Sequence, residues 1–201
     1  MAASFDRSAF DTRLLSPALN EALALILHDE GGYAERAMEG GGAVNMGITF
    51  TVFVAWRLVQ GKPHPSFADL KAMPLDEAKA IYAAEFAAPL QFERMPIGTG
   101  YVILDSAVNN GKAGCQKHIE MAVGQPVDGK FDAVSFWAAS HRPPLQFVNA
   151  FCAARAQRQK TFRDYGVRIN PAKPRTWGDA WDERNEKVRK RALAMIAGVA
   201  A

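Results

Sequence analysis

Apolar residues recur at helical spacing along most of this chain, and no long alternating run marks an extended strand. Between residues 18 and 29 (ALNEALALILHD), Leu19, Ala22, Leu23, Ile26 and Leu27 share one face, with Pro17 just ahead, where a first-turn proline is favoured. The pattern predicts a helix with a buried face that ends at Glu30. Gly31 and Gly32 follow, and glycine accepts the left-handed backbone of a helix end. Residues 51–59 (TVFVAWRLV) carry apolar groups on more than one face behind Thr49, a candidate N-cap. They read as a largely buried helix, although their β-branched content leaves a strand open. A proline-rich loop at 61–66 precedes a clearer helix at 74–88, with Asp76 and Glu77 in its first turn and a stripe of Ala78, Ile81, Tyr82, Glu85 and Phe86. Glu85, near that stripe, reads as a structural ion-pair partner. Further helices are expected over 97–110, 113–123 (ended at Gly124), 131–140, 145–165 and 181–197, with a turn at 126–130 and irregular chain at 166–178. The expected fold class is all-α.

Composition adds a size and excludes some partners. With 201 residues, 49% hydrophobic and 22% charged, the chain can bury a sizeable core as one continuous domain. Cys115 and Cys152 sit in helical segments without metal-like spacing and read as small core residues. His28, His64, His118 and His141 are scattered, so no metal and no cofactor is expected. The net charge of +3 and a pI near 8.9 favour approach to an anionic polymer. The basic residues do not cluster around aromatics or a reading motif, so nucleic acid is not an expected partner; the basic face of 145–165 reads as solvated. Residues 1–17 mix charges with isolated apolar positions, which fits neither a signal peptide nor a membrane anchor.

The candidate chemistry lies at 30–49, EGGYAERAMEGGGAVNMGIT. An acid at a helix C-terminus meets the negative end of the macrodipole, and apolar neighbours such as Tyr33 add to the bias toward the protonated form that a general acid needs. Alone, E-G-G fits a solvated helix-end acid and a turn as well as a catalyst. A second acid, Glu39, and Gly40, Gly41 and Gly42 change that balance, as do the amide of Asn45, the bare backbone of Gly47 and the hydroxyl of Thr49. Two carboxyls beside polar groups and approachable backbone are what glycoside hydrolysis uses: one protonates the leaving oxygen, and the other activates or positions water. Further on, Asp105 and Asn109 fall on one helix face, where they serve either substrate contact or support of a nearby loop.

These segments resemble glycoside hydrolase family 108, the bacterial and phage N-acetylmuramidases used as endolysins and secretion activators. The family's helix ending E-G-G-Y is Glu30 to Tyr33 here. Its acid-x-G-G-x-T-N-x-G-I-T segment is Glu39, Gly41, Gly42, Val44, Asn45, Gly47, Ile48 and Thr49. Its D-x-A-V-N-x-G is Asp105, Ala107, Val108, Asn109 and Gly111; its V-D-G is Val127 to Gly129; its G-W-x-x-R is Trp181 to Arg184, with Ala180 for glycine. The chain departs from the pattern at Glu39, where aspartate is usual, at Val44, where threonine is usual, and at Phe86, where tryptophan is common.

The resemblance implies an all-α, lysozyme-like helical fold, with room for a small C-terminal subregion like peptidoglycan-binding modules. Its implied organisation is an N-terminal extension at 1–17 and one muramidase domain at 18–201, with a catalytic part near 18–112 and a helical remainder. It implies cleavage of the β-1,4 bond between N-acetylmuramic acid and N-acetylglucosamine in peptidoglycan. Glu30 would be the general acid, with Glu39 or Thr49 holding the water, and Tyr33, Asn45, Asp105, Asn109 and Trp181 at the substrate. Arg184 would pair with an acid near the cleft. Trp177 and Trp181 suit an anchor for the last helix or a stacking surface for sugars. A lytic transglycosylase or a non-catalytic wall-binding secretion accessory are the alternatives. Without a signal peptide or membrane insertion, the protein would be made in the cytoplasm and reach the periplasmic wall through a holin lesion or another export route.

Overall fold

The computed structural model describes residues 15–36, 42–130 and 132–198, and its chain divides into two compact units between Glu93 and Arg94. In the first unit, α1 (Pro17–Glu30) starts where Ser16 accepts a hydrogen bond from Leu19 N–H, with Pro17 in the first turn. Its buried residues are Leu19, Ala22, Leu23, Ile26 and Leu27, the face expected from the spacing. Gly31, at φ 79° and ψ −172°, ends it. That backbone region is essentially glycine's own, so the helix stops with the Glu30 carboxyl on its last turn.

A three-stranded antiparallel sheet follows, which the apolar pattern did not announce: β1 (Ala34–Arg36), β2 (Gly42–Asn45) and β3 (Ile48–Thr49), in the order β1-β2-β3. The fold is still helical and lysozyme-like, with this sheet as a small addition. The register pairs Ala34 with Val44, and Val44 in turn with Thr49. Thr49 then caps α2 (Phe50–Val59), and Ser66 caps a short α3 (Phe67–Lys71) through a reciprocal pair with Asp69. The helix expected at 74–88 begins as α4 (Leu75–Tyr82) but widens into a π-helical turn, Ala83–Ala87. Both α4 and that turn pack on α1, burying Ile81 and Tyr82 with Leu23 and Ile26.

The second unit is built on α5 (Thr99–Val123), which breaks at Gly111 (φ 71°, ψ 163°) into the two helices expected from the sequence and ends at a left-handed Gly124. It packs against α6 (Ala133–His141), α7 (Pro144–Gln159) and α8 (Trp177–Ile196). Tyr101, Ile103, Leu104, Ile119, Phe147, Phe151 and Val188 fill this core. Cys115 and Cys152 are buried free thiols, both pushed up to about 12 by burial. The last helix starts four residues earlier than expected, at Trp177 rather than 181, because Thr176 and Asp179 close a capping box. The V-D-G turn is held from below: Gly129 N–H donates to the buried Glu120 carboxylate at 2.9 and 3.1 Å. Among the described residues no helix is long and apolar enough to cross a membrane.

Candidate active site

The hairpin between β2 and β3 is the element that meets Glu30. Asn45 and Ile48 pair across it, and both residues between them take positive φ, Met46 at 48° and Gly47 at 74°. That is the primed two-residue turn that matches the twist of antiparallel strands. A Cβ on Gly47 would lie 2.4 Å from Tyr82 Oη, 3.1 Å from Glu30 Oε2 and 3.4 Å from Glu30 Cβ. The glycine is therefore required twice, for its backbone angle and for the space, and the turn's bare backbone lies against the half-buried Glu30 side chain.

The neighbours expected from the sequence are now placed. Asn45 is buried, and its amide donates to the carbonyls of Leu70 at 2.8 Å and Lys71 at 3.3 Å, which ties the hairpin to α3. Thr49 is exposed; its hydroxyl accepts from Val52 N–H at 3.4 Å and keeps its own proton to donate. Tyr33 lies under Lys71, whose Nζ is 5.5 Å from the ring centre. Glu39 lies outside the described residues. Tyr82, read from sequence only as part of an apolar stripe, donates its hydroxyl proton to the Met46 carbonyl at 2.9 Å. Its aromatic ring at a helical core position gave no hint of that bond.

In the second unit, Asp105 is 1% exposed and each carboxylate oxygen takes a guanidinium: Arg155 Nη1 at 2.6 Å on Oδ2 and Arg184 Nη2 at 2.8 Å on Oδ1. Asn109 folds back onto the same residue, donating to the Asp105 carbonyl at 2.8 Å. Arg184 thus meets the acid partner expected for it. Trp181 is half-buried among Phe162, Tyr165 and Trp177, with ring centres 5.7 to 6.4 Å away, an aromatic anchor for the start of α8. His118, also in this core, shares a 2.9 Å hydrogen bond with Ser106 and is pushed down to about 3, first by burial and then by the charges of Arg155 and Arg158.

A helical, lysozyme-like fold thus carries an acid at the end of its first helix, beside a glycine hairpin. Residues 23–111 match the family model of glycosyl hydrolase 108, which supports a glycoside hydrolase that acts on peptidoglycan. The chain is similar to the structure of Brucella abortus SagA, with 29% identity over 88% of this chain and 94% of that one, at a TM-score of 0.68. No curated protein matches it.

Proposed function

We propose that the chain is an N-acetylmuramidase that cleaves the β-1,4 bond between N-acetylmuramic acid and N-acetylglucosamine, with Glu30 as general acid. The observation that carries this reading is the seating of Glu30: its carboxyl closes α1 and lies against the Gly47 backbone at a turn too tight for any side chain. In the reaction, Glu30 gives its proton to the leaving glycosidic oxygen as the bond to the muramic acid C1 breaks. Water adds to that carbon, and its proton passes to a base. Thr49 supports the water through its exposed hydroxyl, and Glu39 is the carboxylate that would take the proton. Separation of the two carboxyls by roughly 6.5 to 9.5 Å would suit inversion.

Tyr33, next to the Glu30 turn, is the aromatic surface for a sugar. Asn45, Asp105 and Asn109 serve the same reaction indirectly, since their polar atoms hold the hairpin and the second core. Trp181 belongs with them, as the anchor of α8. The protein would act on the wall after export.

Glu30→Gln should lower the rate of clearing of purified peptidoglycan by about 100- to 10,000-fold, the range for loss of general acid catalysis, with circular dichroism and melting unchanged. Full activity in that variant would overturn the reading. Mass spectra of the wild-type digest should show reducing muramic acid ends; 1,6-anhydro ends would instead identify a transglycosylase on the same bond.

A further inference from the structure

Tyr82 is the last residue of α4 before the π-helical turn, and it is 2% exposed. The turn opens with a wide hydrogen bond from Ala88 N–H to the Ala83 carbonyl at 2.8 Å. Such turns are rare, and they are frequent at functional sites. The Tyr82 ring leans on Phe86, with centres 5.7 Å apart, which holds the ring. Its hydroxyl donates to the Met46 carbonyl, in the hairpin turn whose next residue, Gly47, lies against Glu30. A hydroxyl has a single proton, and here it goes to the Met46 carbonyl, with the oxygen 2.4 Å from where a Gly47 Cβ would stand.

We infer that Tyr82 is a positioning residue for the reaction: its hydroxyl pins the Met46 carbonyl and thereby sets the Gly47 backbone against which the Glu30 carboxyl is seated. The inference rests on Glu30 as general acid and adds the residue that holds the acid's seat. Tyr82 is 36 positions from Met46 and 52 from Glu30 along the chain, so one bond fastens α4 to the hairpin beside the end of α1. Misplacement of a reacting group by about 1 Å costs on the order of 100-fold in rate, which gives a single buried hydroxyl the leverage required.

The test is Tyr82→Phe in the full chain, which keeps the ring and removes only the hydroxyl. Initial rates of wall clearing against wall concentration should show kcat reduced about 10- to 100-fold with the apparent KM within about twofold. A residue that merely supports the fold would leave kcat of the fully folded variant unchanged. Melting curves set the assay temperature so that every variant is fully folded. Gly47→Ala should damage the same seat, so Tyr82→Phe combined with Gly47→Ala should lose little more than Gly47→Ala alone.

An unchanged kcat, a loss confined to KM, or losses that multiply in the double variant would each overturn the inference. Glu30→Gln separates the two levels. If Glu30→Gln is inactive while Tyr82→Phe is fully active, the role of Tyr82 fails and the general acid stands. If Glu30→Gln clears walls at the wild-type rate, both fail together.

Discussion

Glu30 and Asp105 are two acids of the same chain with opposite settings. Glu30 is half-buried at a helix end, beside backbone that a single methyl would crowd. Asp105 is in mid-helix, sealed from water, with a guanidinium on each oxygen and the Asn109 amide folded over it. Both fall in motifs that resemble the same family, and their surroundings differ. A carboxylate that balances two cations in a closed core cannot give them up without leaving charge stranded, so it belongs to the scaffold. Glu30, at its helix end, lies instead against the narrow turn at Gly47.

The largest expected effect follows from that difference. Asp105→Ala would leave Arg155, 1% exposed and with its Nε already lacking a hydrogen-bond partner, as an uncompensated buried charge. Removal of one partner of such a pair costs about 3–5 kcal/mol. Urea denaturation should show that loss, in contrast to Glu30→Gln, which should leave the midpoint unmoved. An Asp105→Ala protein of wild-type stability would erase the distinction between the two acids.

The same core predicts a dependence on pH. His118 is pushed down to about 3 in the folded chain, against about 6.5 when exposed. The folded state therefore binds fewer protons, so the contribution of neutral His118 is full above pH 6.5 and is lost as pH falls from there toward 3. At pH 5 the loss amounts to about 2 kcal/mol. His118→Gln should flatten the stability profile between pH 6.5 and 4. Parallel profiles for the two proteins would mean that His118 stays neutral in the unfolded chain as well, or charges in both.

The faces of α1 and the break of α5 at Gly111 were legible because each is a local matter: apolar spacing, and a glycine where the helix must bend. The sheet was not. Its strands are three, four and two residues long, too short to show alternation, and the turn between β2 and β3 is Met-Gly rather than the Asn-Gly that signals such a hairpin. Nor does the run Ala83, Ala84 distinguish α from π winding. At the site, Glu30 and Gly47 could be picked out from sequence because E-G-G and G-I-T stand in one short segment. The bond from Tyr82 to Met46 and the bond from Arg155 to Asp105 join residues 36 and 50 positions apart, and no local pattern encodes either.

The smallest expected effect lies in the two glycines after Glu30, which look interchangeable in sequence. A Cβ would meet nothing within 4 Å at either position, so space does not separate them. Backbone does: Gly31 has φ 79° and ψ −172°, whereas Gly32 has no positive φ. Gly31→Ala should therefore cost about 1–3 kcal/mol through conformation alone. It should also lower activity, because relief of that strain would turn the last residue of α1, Glu30, away from the hairpin. Gly32→Ala should be neutral to within about 0.5 kcal/mol and keep full activity. The pair of melting curves and clearing rates isolates the backbone from the packing: equal behaviour of the two variants would mean that the helix end, and with it the seat of Glu30, does not depend on the left-handed turn at Gly31.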